Sequence, residues 1–492
     1  MSTCPRYLTP FGNRVSTATV RTARFIYKLF NRLYGKNSAP IEPAAIAVGN
    51  QYADFGALTI VDKKTYVPEM GQTVYDIVPD KAIIIATIRM GFGHWRMAIA
   101  FMSAAHKMGY TPYILDLMSF ENSSAQKIIK SLQKLYDFFS RLSQSSRWFN
   151  DHLWEKFTST QNKTIDSCVT QRYLSALFVP VFEKLPRTVP LLSMHPWAGH
   201  GAVLSGMTNV VSTIPDNYPM AFWLVEGSRH TVQSPSSYMG YRTLLEMSAT
   251  YPIIECIPES MIFECDHYVD YELTATIETD CAARIHRLET GKARRFLLTM
   301  GGAGAQVYKF AGIISACTAD IATGRATFFI NMGDHAGRWE ALRQRLDATH
   351  TRYILHNSWE HTKQFITDAQ HSEVNGIHVF LHDTFYEAVY LTNLLMHISD
   401  IMITKPSELS FYPIPKLFIQ RVGRHEAWGA IRGSEIGDGT IEAASQDDLY
   451  RTLHLLISDG DLLKLYVKHI LENHTVGIYN GAHNAVRYAT AP

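Results

Sequence analysis

Short apolar runs alternate with longer stretches of helical periodicity along most of the chain. The run "AIIIATI" (82–88) reads as a buried strand, a helical pattern starts near Trp95, and "YILDL" (113–117) reads as the next strand. That alternation predicts βαβ units on a parallel sheet. A mostly polar helical stretch, about Ser123 to Lys184, interrupts it before strands resume at "PLLSM" (190–194), "NVVSTI" (209–214) and "MAFWLV" (220–225). A helical segment over 273–292 then leads to a second series: "RRFLLTM" (294–300), "ATFFINM" (326–332), "IHVFLH" (377–382), "DIMITK" (400–405) and "KLFIQRV" (416–422). The pattern predicts two doubly wound α/β domains, residues 81–285 with a helical insertion and residues 293–492, joined near 285–293 and preceded by an extension over 1–80.

Within that extension, "RTARFIYKLFNRLYGK" (21–36) spaces Arg21, Arg24, Lys28, Arg32 and Lys36 by three and four, with Phe25, Ile26, Leu29, Phe30, Leu33 and Tyr34 on the other side. This predicts a basic amphipathic helix, which either docks on its own protein or lies in an anionic membrane interface.

Composition narrows the class. The 492 residues include 46 Lys and Arg against 45 Asp and Glu, a net charge of +1 that argues against a nucleic-acid binder. Charged residues are 18% of the chain and apolar ones 46%, which excludes intrinsic disorder. The apolar runs fall short of the roughly 18 residues a spanning helix needs. Six cysteines without a CxxC pair fit reduced thiols, and the N-terminus lacks the apolar core of a signal peptide. The expectation is a cytoplasmic protein, peripheral on the inner membrane face if residues 21–36 touch lipid.

Three segments carry candidate chemistry, each following a strand. In "RMGFGHWR" (89–96), Gly91 and Gly93 permit a sharp turn and close backbone approach, and His94 falls at a helix start on the carboxyl side of the sheet, where it could serve as a general base. In "TMGGAGAQ" (299–306), Gly301, Gly302 and Gly304 leave backbone N–H groups to face a phosphate at a helix N-terminus. The spacing matches neither GxxxxGKS nor GxGxxG, so a P-loop ATPase and a dinucleotide fingerprint are disfavoured. In the segment 399–429, two strands flank a proline-containing crossover, and "GRHEAWG" sets His425 and Glu426 at a helix start. Read singly, these are tight βα turns and a helix-start carboxylate favoured by the dipole.

Taken in order, the segments resemble the GT-B glycosyltransferases, in particular the branch of monogalactosyldiacylglycerol synthase, processive diacylglycerol glucosyltransferases and the lipid-linked peptidoglycan N-acetylglucosaminyltransferase. "GFGH" is similar to that branch's glycine-rich loop, whose His, here His94, is the catalytic base. "SMHPWAGHG" and "VSTIPDN" resemble its middle segments, aligning His195, Pro196 and Asp216. Gly301 to Gly304 resemble its diphosphate loop, Thr404, Lys405 and Pro406 its "TKPGG" signature, and "HEAWG" its donor-contact segment, with Glu426 matching and His425 replacing Gln. The resemblance spans roughly residues 80–440.

What the resemblance implies is a pair of Rossmann-like domains facing across a cleft and an enzyme that moves a sugar from a nucleotide diphosphate, a UDP-sugar, to a hydroxyl acceptor such as a lipid. His94 and Asp216 are then catalytic, Gly91, Gly93 and His195 lie on the acceptor side, and Gly301, Gly302, Gly304, Lys405, Glu408, His425 and Glu426 on the donor side. Two departures matter: the resemblance does not account for the N-terminal region or the helical insertion, and "PSELSFYPIPK" lacks the family's paired glycines, with Pro413 and Pro415 limiting its helix to about a turn or less. Either Glu408 replaces the ribose-holding Glu or the donor is held differently. No Glu lies eight residues after Glu408 or Glu426, where Lys416 and Ser434 stand, so the E-x7-E pattern of many retaining enzymes is missing and inversion is expected. The only Asp-x-Asp, Asp459 to Asp461, reads as a helix start with Asp461 as its N-cap, so no metal and no obligatory cofactor is expected. The alternatives are a nucleotide-sugar 2-epimerase and a GT-B-like binding protein without catalysis.

Overall fold

The computed structural model describes residues 9–35, 39–47, 53–121, 123–133, 161–301, 307–421 and 423–491. Gly302, Gly304, Lys36 and residues 134–160 of the helical insertion lie outside them. Two compact units are formed, one from residues 1–90, 100–266 and 481–492, the other from 91–99 and 267–480.

The first unit opens with α1 (Thr17–Tyr34), whose Ser16 caps it by accepting from the Thr19 N–H. Strands β1 (Pro43–Ile46), β2 (Leu58–Asp62) and β3 (Val74–Tyr75) follow, then β4 (Ala82–Thr87), α2 (Phe92–Lys107) and β5 (Thr111–Asp116). After the insertion, which includes α3 (Asp166–Ser175), come β6 (Leu191–Ser193), α4 (Pro196–Ser205), β7 (Val210–Thr213), β8 (Arg229–Val232), α5 (Pro235–Arg242) and β9 (Ile262–Glu264). The sheet order is β3-β1-β2-β5-β4-β6-β7-β8-β9, parallel from β2 to β9, with β1 antiparallel to both of its neighbours. All six residues of β4 are buried, as expected of a strand covered on both faces.

In the second unit, α6 (Ile277–Glu289) precedes β10 (Arg294–Thr299), α7 (Val307–Ala316), β11 (Ala326–Asn331), α8 (Ala336–Ala348), β12 (Ile354–His356), α9 (Trp359–His371), β13 (Gly376–Phe380), α10 (Phe385–Ile398), β14 (Ile401–Thr404), β15 (Lys416–Phe418), α11 (Ala427–Glu435), α12 (Gln446–Ser458) and α13 (Asp461–Thr475). The order is β12-β13-β11-β10-β14-β15, all parallel. Its core contains Phe296, Leu298, Phe328, Ile330, Leu391 and Ile403. The buried Lys416 forms an ion pair with Asp438 at 2.8 Å and donates to the Tyr412 carbonyl at 2.7 Å, and Tyr479 donates to the same carboxylate at 2.9 Å, so that the charges taken out of water are paired.

The expectation of two doubly wound α/β units holds; their limits differ from the expected ones. The units divide at 266/267 instead of at 285–293. The closing helix α14 (Gly481–Thr490) belongs to the first unit, because Asn209 and Arg229 donate to the Ala489 and Tyr488 carbonyls at 3.0 Å each. "MAFWLV" is no strand: Ala221–Trp223 form a 3₁₀ turn, its apolar side chains filling a small core with Ile214, Val232 and Tyr241. Asp461 is the first residue of α13 and not its cap, which is Gly460. The crossover after β14 contains only a four-residue 3₁₀ helix, Glu408–Phe411, as its prolines require.

Candidate functional site

In open α/β sheets, ligands bind outside the carboxyl ends of the strands, at the point where strand order reverses. In the second unit β11 and β13 lie on one side of β10 while β14 and β15 lie on the other, so that point falls between β10 and β14. The two strands end side by side, and Thr299 Oγ1 donates to Thr404 Oγ1 at 3.2 Å. Their loops meet next: the Lys405 stem passes 3.4 Å from where a Cβ on Gly301 would stand. His335 donates from Nε2 to the Gly301 carbonyl at 3.1 Å, fixing the glycine from the other side.

Lys405 forms an ion pair with Glu426, which is buried and also accepts from the Gly423 N–H at 3.3 Å. The sequence offered Glu426 as a solvated helix-start carboxylate or a sugar contact; the structure finds it holding the lysine of the neighbouring loop. His425 packs its ring over Gly423.

The glycine turn after β4 joins this assembly, because residues 91–99 group with the second unit. Gly91 has φ of +86°, the left-handed region where a side chain is disfavoured. Gly93 is needed for another reason: a Cβ there would run into the Glu408 carboxylate. Glu408 therefore lies against the first turn of α2, where the helix dipole favours a negative charge. Phe92 packs edge-on against Phe385 and tilted against His335, with ring centroids 5.1 and 5.4 Å apart. Arg96 donates to Asn393 Oδ1 at 2.8 Å and lies 5.7 Å from the Tyr412 ring centre. Between Gly93 and these anchors stands His94, half-buried, the third residue of α2. Asp270, fully buried, has its pKa pushed up to about 7, chiefly by burial and then by Glu272, against the opposing pull of Arg96.

Gly91, Gly93, His94, Gly301, Lys405, Glu408, His425 and Glu426 thus belong to one compact unit. His195 and Asp216 belong to the other. There His195 caps α4, its Nδ1 accepting from the Trp197 N–H at 3.2 Å, and its ring stands edge-on to Trp223, whose Nε1 donates to Asp216 at 2.9 Å. Sequence reasoning missed Asp270, His335, Asn393 and Tyr412. Asp270, Asn393 and Tyr412 stand in no glycine turn, whereas His335, four residues beyond the end of β11, closes the turn at Gly333 and so offered a signal.

The strand orders define the class of molecule: two α/β units, each on a predominantly parallel sheet. Residues 9–243 match the model of a domain of unknown function (DUF6937), and residues 257–490 that of a second domain of unknown function (DUF6938). No curated protein matches the sequence. Among solved structures, the chain is similar to a UDP-GlcNAc 2-epimerase from Neisseria meningitidis bound to UDP-GlcNAc, at 10% identity, 82% of this chain, 98% of that one and a TM-score of 0.46. A glycosyltransferase from Rickettsia africae gives 12%, 83%, 97% and 0.41. A trehalose 6-phosphate synthase from Burkholderia multivorans gives 10%, 83%, 97% and 0.42.

Proposed function

We propose that the chain is an inverting glycosyltransferase of GT-B type that binds a nucleotide-diphosphate sugar, a UDP-sugar in the first instance, at the reversal point of its second unit. The observation that carries this is the side-by-side ending of β10 and β14, with the Lys405 stem set beside Gly301. A cation at the carboxyl ends of these strands suits a diphosphate leaving group. His94 is the proposed base. His94 takes the proton of an acceptor hydroxyl, the oxygen forms a bond to the anomeric carbon from the face opposite the leaving group, and the bond to the diphosphate oxygen breaks, its electron pair leaving with the nucleotide. The acceptor is proposed to be a lipid hydroxyl at an anionic membrane surface.

Incubation with radiolabelled UDP-glucose, UDP-galactose and UDP-N-acetylglucosamine plus a lipid extract tests the reading. Label in the lipid fraction is expected. Isomerised sugar nucleotide without an acceptor identifies an epimerase instead, and nucleotide binding without turnover a binding protein; either result overturns the transferase assignment.

A further inference from the structure

The sequence pattern gave α1 one apolar side; the structure divides it in two. Val20 and Ala23 are buried against Val169 and Tyr173, Tyr27, Phe30 and Tyr34 pack on the main core of the first unit, and Thr19 donates to Asp166 at 2.6 Å. Tyr34 and Ser131 share a further hydrogen bond of 2.8 Å. The helix is therefore held rigidly along its inner face. Its outer face carries a second apolar row, Phe25, Leu29 and Leu33, exposed by 66%, 42% and 58%. These three recur every fourth residue, so they line one stripe.

Arg21, Lys28 and Arg32 recur along the border of that stripe, all exposed, and α1 contains no acidic residue. Among the described residues none of these three cations forms an ion pair. Three large apolar side chains turned outward next to uncompensated cations match the boundary between headgroups and acyl chains of an anionic bilayer, where rings and leucines enter the apolar layer and the guanidinium and ammonium groups meet lipid phosphates. A protein partner would equally cover the apolar row, but the one-sided cationic border favours a surface of uniform negative charge. No helix of the described residues is long and apolar enough to cross a membrane.

We infer that the outer face of α1 is a reversible docking surface for anionic lipid bilayers. This deepens the lipid part of the function proposed above, and it does not depend on sugar transfer. The test uses the full chain in co-sedimentation with vesicles of pure phosphatidylcholine and of phosphatidylcholine with 30% phosphatidylserine. Binding is expected only to the latter, weakening as salt rises. Phe25→Ser/Leu29→Ser/Leu33→Ser and Arg21→Gln/Lys28→Gln/Arg32→Gln should each lower it by about tenfold or more. Both variants spare the inner face, and an unchanged unfolding midpoint verifies that α1 remains docked. Equal binding to both vesicles, unaltered binding by either variant, or self-association that the serine variant abolishes in place of vesicle binding overturns the inference. Titration with UDP alongside separates the two proposals: vesicle binding without nucleotide binding sinks the enzyme reading alone.

Discussion

Replacing Gly93 by alanine tests the contact that ties the first turn of α2 to Glu408. An alanine in a helix is ordinarily better than glycine by roughly 0.5–1 kcal/mol. Here its methyl would take the place of the Glu408 carboxylate. Forcing an extra carbon into a filled site costs about 1–3 kcal/mol, and displacing the carboxylate from the helix N-terminus forfeits a further ~0.3–1 kcal/mol. Because Glu408 is only partly buried and its side chain can swing, the low end applies, and Gly93→Ala should destabilise by about 1–2 kcal/mol. Glu408→Ala alone loses only the dipole interaction, roughly 0.5–1 kcal/mol. In the double variant the new methyl enters vacated space and the helix gain is realised, so its stability should return to within about 0.5 kcal/mol of the parent, a coupling near 2 kcal/mol. Urea unfolding followed by tryptophan fluorescence reads this, since Trp95 lies in the same turn and packs edge-on to Phe385 at 5.7 Å. Additive effects, with coupling below about 0.5 kcal/mol, refute the argument that Gly93 exists to admit Glu408.

Three further outcomes concern titratable residues. Asp270 binds a proton up to about pH 7 in the folded protein but only below its ordinary value when unfolded, so its contribution to stability falls as pH rises through that interval, by up to ~4 kcal/mol at 1.36 kcal/mol per pH unit; Asp270→Asn should gain on the parent between pH 4 and 7, and an unfolding difference flat with pH contradicts this. Burial holds His230, His378 and His382 down near 4, so the unfolded chain binds more protons between there and 6.5, and their contribution is complete above 6.5 and lost as pH falls toward 4; replacing His230 by glutamine should reduce the acid sensitivity of unfolding, which an unchanged acid midpoint would exclude. His94→Gln should lower turnover by roughly 10²- to 10⁴-fold with donor affinity nearly unchanged, whereas loss of donor binding in place of turnover removes His94 from the role of base.

Strands buried on both faces were legible because they read as continuous apolar runs: β4, β10, β11 and β14 fall within the expected segments. The same signal misled at "MAFWLV", since an apolar run of six fits a buried turn as well as a strand. β8, "RHTV", and β12, "ILH", escaped because one carries polar residues and the other is too short to show a period. The glycine turns were legible as local chemistry. Their assembly was not: Gly93 and Glu408 are far apart in sequence, and nothing local in "RMGFGHWR" says that it packs with the crossover after β14. Lys405 and Glu426 were each picked out, yet as separate donor contacts, because an ion pair between two loops is a tertiary fact.

The central claim is that a nucleoside diphosphate binds where the loops after β10 and β14 meet, and amide hydrogen exchange with and without saturating UDP tests it most directly. Peptides covering 299–316 and 404–411 should exchange more slowly when UDP is present, while those over β12 and α9 should not change. Unaltered exchange at both loops, or protection confined to the first unit, would contradict it.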